Sequence, residues 1–173
     1  MTRAPLLVVM GVSGCGKSTV GAQLAAALRL DFLEGDALHS ERNIARMASG
    51  IALTDEDRRE WLELLSWHLG QALHKQRGLV VSCSALKRAY RDILRRGAPG
   101  LLLLHLTGDE ALLAKRTTQR PGHYMPASLL GSQLKALEPP GTDENALTFN
   151  VARPPQAIVR AALAALAHRS PRQ

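Results

Sequence analysis

The sequence predicts an α/β fold in which a five-stranded parallel sheet is flanked by helices. Three observations carry that expectation. Short apolar runs alternate with longer segments of helical periodicity along the chain. The first apolar run ends in a glycine-rich loop that opens a helix, and neither an internal repeat nor a long linker interrupts the alternation. Strands that alternate with helices pair in parallel and are covered on both faces. Ligands of such sheets bind beyond the carboxyl ends of the strands.

Each element follows in order. Leu6–Met10 is an unbroken apolar run, read as a buried strand. Ser18–Arg29 is a helix with Val20, Leu24 and Leu28 four apart on one face. Asp31–Leu33 is a second short strand, ending at Glu34-Gly35-Asp36, and His39–Ala48 is read as a helix. Thr54 looks like an N-cap, with Asp57 three residues on in the manner of a capping box. The helix it opens is expected to reach about Gln76 and to bury Trp61, Leu65, His68 and Ala72. Leu79–Cys83 is a third strand, Leu86–Arg96 a helix and Leu101–Leu106 a fourth strand. A helix from Asp109 to Gln119 precedes the Pro121-Gly122 break. Pro126–Glu138 is another helix, Leu147–Val151 a fifth strand and Pro155–His168 a closing helix.

Composition narrows the function. The 173 residues suit one domain, 1–173. A hydrophobic fraction of 46% with 21% charged residues excludes a disordered or fibrous chain. The apolar runs are too short to span a bilayer. The run after Arg3 has no small-residue cleavage site, so a cytoplasmic protein without a membrane partner is expected. Cys15 and Cys83 lack metal-ligand spacing. The net charge of +7 favours anionic partners. There is no long basic run, and aromatics on which bases could stack are few. Small anions fit better than nucleic acid.

Gly11-Val12-Ser13-Gly14-Cys15-Gly16-Lys17-Ser18 fits G-x-x-x-x-G-K-[ST] between a predicted strand and a predicted helix. The glycines let successive backbone N–H groups turn inward around a phosphate, and the helix N-terminus adds partial positive charge. Lys17 can reach the β- and γ-phosphates, the Ser18 hydroxyl can ligate Mg²⁺, and Thr19 completes the nucleotide-binding segment. ATP and Mg²⁺ are the cofactors this implies. The third strand, Leu79–Cys83, ends without an acidic residue. That favours a small-molecule kinase over a mechanical ATPase.

Glu34-Gly35-Asp36 lies at the carboxyl end of the second strand, where a carboxylate can orient an attacking hydroxyl and accept its proton. Asp36 is the candidate. Lys87 and Arg91, four apart on one predicted helix, and His39, Arg42 and Arg46 along another are candidate cations for an anionic acceptor. Arg116 and Arg120 precede Pro121-Gly122-His123-Tyr124 and suit a mobile lid, Arg116 near the base and Arg120 clamping the transferring phosphate.

Together these segments resemble the gluconokinase family of P-loop kinases. The likeness rests on MGVSGCGKS, FLEGDALHSERNIARMASGIALTDEDRREWL, CSALKRAYRDILR and RPGHYMPASLLGSQLKALEPP, in that order. It implies ATP-dependent phosphorylation of D-gluconate to 6-phosphogluconate, an adenylate-kinase-like three-layer fold with a small lid around 116–138, and commonly a homodimer. Carried over, Gly11–Ser18 would hold ATP and Asp36 would face the acceptor hydroxyl. His39, Arg42, Lys87 and Arg91 would serve the sugar acid, and Arg116 and Arg120 would act from the lid. Cys15, Ser40 and Glu60 depart from the family's usual serine or alanine, proline and proline. A shikimate-kinase-like reading shares the phosphate loop, but CSALK stands where that family has Gly-Gly-Gly. A nucleotide-dependent RNA-binding or regulatory module has only the basic tail behind it, with four arginines and no carboxylate from Arg153 onward.

Overall fold

The computed structural model describes residues 4–119, 126 and 128–169. Its strands are β1 (Leu6–Met10), β2 (Asp31–Glu34), β3 (Leu79–Ser82), β4 (Leu102–Thr107) and β5 (Ala146–Asn150). The helices are α1 (Lys17–Leu28), α2 (Glu41–Ala48), α3 (Asp55–His74), α4 (Arg88–Gly97), α5 (Glu110–Thr118), α6 (Leu129–Ala136) and α7 (Pro155–His168). A 3₁₀ turn, Gly35–Leu38, joins β2 to α2. All strands pair in parallel, in the order β2-β3-β1-β4-β5.

The buried centre of the sheet follows from its sequence. Every residue of β1 and β3 is buried, as is all of β4 except Thr107. Such strands need cover on both faces, and their Leu- and Val-rich runs, broken by buried His105 in β4 and Ser82 in β3, suit that requirement. The edge strands β2 and β5 are only partly covered. Helix α1 packs against α7, and α3 packs against α4. Among the described residues no helix is long and apolar enough to cross a membrane.

Caps set the helix starts. The Ser40 hydroxyl accepts the Asn43 N–H, so α2 begins at Glu41 and His39 stands ahead of it. His39, Arg42 and Arg46 therefore do not share one helix face. At α3 both bonds of the expected capping box form, between Thr54 and Asp57. The buried face of α3 is Trp61, Leu62, Leu65 and Leu69, with Arg58 and Ser66; His68 and Ala72 are only half-buried. Helix α4 starts at Arg88, later than expected, because Ala85 takes a left-handed conformation (φ 44°) and Lys87 is the N-cap. Helix α6 is shorter at both ends than the sequence pattern suggested.

Candidate active site

The glycine-rich loop leaves β1 and feeds straight into α1. Gly16 caps that helix at φ 90°, a left-handed conformation that glycine adopts without steric cost. Lys17 Nζ donates to the Val12 carbonyl at 3.1 Å, so the ammonium curls back over the loop. The Cys15 side chain is buried beneath the loop, where a Cβ on Gly11 would lie 2.7 Å from its sulfur. The Ser13 amide donates to Gln133 Oε1 of α6 at 2.7 Å.

The end of β2 is clamped beside this loop. Ser82 Oγ donates to Glu34 Oε1 at 2.5 Å and accepts the Gly35 amide at 3.1 Å. A side chain at Gly35 would strike the Ser82 carbonyl, 2.0 Å from the Cβ position, so only glycine lets the two strand ends approach so closely. Trp61 Nε1 donates to the Gly35 carbonyl at 2.8 Å, and the same indole stacks on His39 with centroids 4.0 Å apart. His39 is buried, and its Nδ1 has no hydrogen-bond partner. Burial, then the nearby Arg58 charge, push the His39 pKa down to about 4, so the ring is neutral near pH 7.

Two cavities open here. The first has Ser13, Gly14, Lys17 and Ser18 on the loop side, facing Asp36, His39, Met47 and Ser84. The second encloses about 320 Å³ and is lined by residues that include Thr54, Asp55, Leu86, Lys87, Tyr90 and Ser132. Arg58 and Gln133 line both. In the second, Asp55 accepts hydrogen bonds from Lys87 Nζ at 2.9 Å and from the Tyr90 hydroxyl. These bonds, Tyr90's foremost, hold the Asp55 carboxyl below the usual range.

The sequence candidates thus divide. Ser13, Gly14, Lys17, Ser18, Asp36 and His39 line the first cavity, and Lys87 lines the second. Thr19 and Arg42 are exposed, away from both. Arg46 pairs with Asp57 at 3.6 Å. Arg91 is a correction: it is fully buried and grips Glu144 and the Ala85 and Leu86 carbonyls, so it faces neither cavity. Arg116 is half-buried on α5, and Arg120 lies outside the described residues. Sequence reasoning missed Arg58, Trp61 as a clamp, and Gln133. A signal for Arg58 was present, since it is a cation three residues before Trp61 on the apolar stripe of α3.

A family model described as an AAA domain matches residues 6–140. The chain is 48% identical over 139 residues to the thermosensitive gluconokinase of Escherichia coli (strain K12), covering 79% of this chain and 73% of that one. The crystal structure of a gluconokinase from Sinorhizobium meliloti 1021 superimposes with a TM-score of 0.83 at 49% identity, covering 96% of this chain and 94% of that one. An unliganded sugar kinase from Janibacter sp. HTCC2649 gives a TM-score of 0.90 at 44% identity, with 95% of each chain covered.

Proposed function

The chain belongs to the gluconokinase family of P-loop kinases, and from that membership we propose its reaction: ATP and D-gluconate give ADP and 6-phospho-D-gluconate. The observation that carries the residue assignment is that Lys17 and Asp36 line one cavity, beyond the carboxyl ends of β1 and β2, the two strands that flank β3 in the parallel sheet.

The 6-hydroxyl oxygen attacks the γ-phosphorus, the bond to the β–γ bridging oxygen breaks, and the hydroxyl proton passes to Asp36. Lys17 and the amides of Gly11–Ser18 neutralise charge on the β- and γ-phosphates. Ser18 is the loop's side-chain ligand for Mg²⁺. Among the described residues no group of three or more His, Cys, Asp or Glu could hold a metal ion. When bound, Mg²⁺ neutralises phosphate charge. Neutral His39 offers its Nδ1 to an acceptor hydroxyl, and Lys87 stands on the wall of the second cavity, where the rest of the acceptor extends. In this reading Arg116 acts on the phosphates from α5, while the centre of the expected lid around 116–138, with Arg120, lies outside the described residues. The chain functions as a cytoplasmic homodimer, the assembly being checked by light scattering.

A coupled ADP-release assay over D-gluconate, glucose, shikimate and nucleoside monophosphates tests the reading. Gluconate should be the best acceptor, with neutral glucose at least about tenfold poorer, equivalent to about 1.4 kcal/mol. Activity on shikimate or a nucleoside monophosphate with none on gluconate overturns it.

A further inference from the structure

Arg58 is the one cation on the walls of both cavities that is buried without a polar partner among the described residues. Its residue is 8% exposed, on the first turns of α3. Its guanidinium stands 5.7 Å from the centroid of the Tyr90 ring and makes no hydrogen bond or ion pair with the described residues. Its nitrogens are not among the fully buried unpaired atoms, so they reach the cavities, and a guanidinium set this deep gains from an anion that replaces its lost hydration. Lys87 approaches the same ring at 5.7 Å, but its ammonium already holds Asp55 at 2.9 Å. Of the two cations around Tyr90, one is engaged and one is not. Lys17, the other cation of the first cavity, sits within the phosphate loop and bonds Val12.

We propose that Arg58 is the specificity-determining residue of this kinase, its guanidinium pairing with the carboxylate of the sugar-acid acceptor. The inference rests on the gluconate reading and deepens it. The planar fork matches a carboxylate bidentately, which the Lys87 ammonium does not. Asp55, bonded by Lys87 and Tyr90, repels a carboxylate at the Lys87 end of the cavity and turns that end toward neutral hydroxyls. Arg58 also borders the phosphate loop's cavity, so the competing role is a clamp on the transferring phosphoryl group.

Steady-state kinetics with D-gluconate and with D-gluconamide separate the two roles. The amide keeps the carbon chain and the 6-hydroxyl but carries no charge. It is measured as a substrate or, where turnover is too slow, as a competitive inhibitor. Arg58→Gln should raise the gluconate KM about thirtyfold or more, lower kcat far less, and reduce the preference for gluconate over gluconamide at least tenfold. Arg58→Lys should fall between the variant and the wild type, and Lys87→Ala should change the preference less than Arg58→Gln does. Circular dichroism establishes that each variant is folded, and an unfolded Arg58→Gln leaves the decision to Arg58→Lys. Equal losses on both acceptors, or a fall in kcat at unchanged KM, would assign Arg58 to the phosphoryl group and overturn the proposal. A wild-type enzyme inactive on gluconate would instead overturn the reading on which it rests.

Discussion

Two buried arginines on neighbouring helices are bonded in opposite ways. Arg91 of α4 is 0% exposed; its Nε and Nη2 hold Glu144 at 2.7 and 2.9 Å, and its Nη1 divides between the Ala85 and Leu86 carbonyls. Arg95 and the Gly141 amide complete the shell of the same carboxylate. Among the described residues, Arg58 of α3, nearly as deep, has the face of Tyr90 as its one ring contact and no hydrogen-bond or ion-pair partner. The first arrangement joins the turn after β3 to the loop before β5 and leaves nothing over for a ligand. The second keeps its donors open at a cavity. Burial alone does not separate a structural cation from a binding one; the inventory of partners does.

The largest effect expected from this contrast lies on the open side. Lys17 has one carbonyl partner and stands at the first cavity, so Lys17→Ala should leave the fold intact while cutting kcat by about two to three orders of magnitude. Asp36→Asn should also nearly abolish turnover while ATP still binds. Kinetics paired with thermal unfolding check both. A Lys17→Ala turnover within about threefold of the wild type removes the loop lysine from the chemistry.

On the satisfied side the loss should appear in stability instead. Glu144→Gln strands the fully buried Arg91 charge, whereas Arg95 keeps Asp92, and should cost about 3–5 kcal/mol by denaturant unfolding. The gluconate KM of the folded fraction should change little. The pH dependence sharpens the contrast. Burial alone would raise the Glu144 carboxyl, but Arg91, the Gly141 amide and Arg95 bring it down to about 2 from an ordinary 4.5. Its stabilisation is therefore complete above pH 4.5 and lost as the pH falls toward 2. His39 titrates in the same direction at higher pH. The unfolded imidazole takes its proton near 6.5 and the buried one only near 4, so stability falls across that interval. Acidification should weaken the cavity wall first and the arginine network second. In Glu144→Gln the lower window should vanish while the upper one remains.

Much of the fold could be read from local pattern, because its causes are local. Apolar runs mark β1, β3 and β4, the Thr54–Asp57 box opens α3, and the glycine loop joins β1 to α1. The errors arose where the cause was distant. Lys87 and Arg91 have the spacing of one helix face, yet Arg91 is claimed by a carboxylate 53 positions away, and its bonds to the Ala85 and Leu86 carbonyls tie down the turn before α4. His39 looked helical until the Ser40 cap set it apart from α2. At the candidate site, Lys17, Ser18 and Asp36 were legible because a motif or a strand end marks them. Arg58 and Gln133 come from elements remote in sequence, and only the folded chain brings them to one wall.

The smallest expected effect tests whether the open side is held in shape by its own structural bonds. Trp61 makes two contacts there: its Nε1 holds the Gly35 carbonyl at 2.8 Å, and its ring covers His39 at 4.0 Å. Trp61→Phe keeps an aromatic face and removes the donor. The buried carbonyl then lacks its partner, at a cost of about 1–3 kcal/mol. Because Asp36 follows Gly35 directly, kcat should fall a few-fold with little change in gluconate KM. Trp61→Leu removes the stacked ring as well and hydrates His39. The imidazole, followed by its ring-proton NMR signals, should then titrate nearer its ordinary 6.5, whereas in Trp61→Phe it should stay low. If the two variants shift His39 equally, the stacked ring is not what keeps it neutral. If Trp61→Phe matches the wild type in both stability and kcat, the indole hydrogen bond does not position Asp36, and the Ser82–Glu34–Gly35 clamp alone must hold the turn.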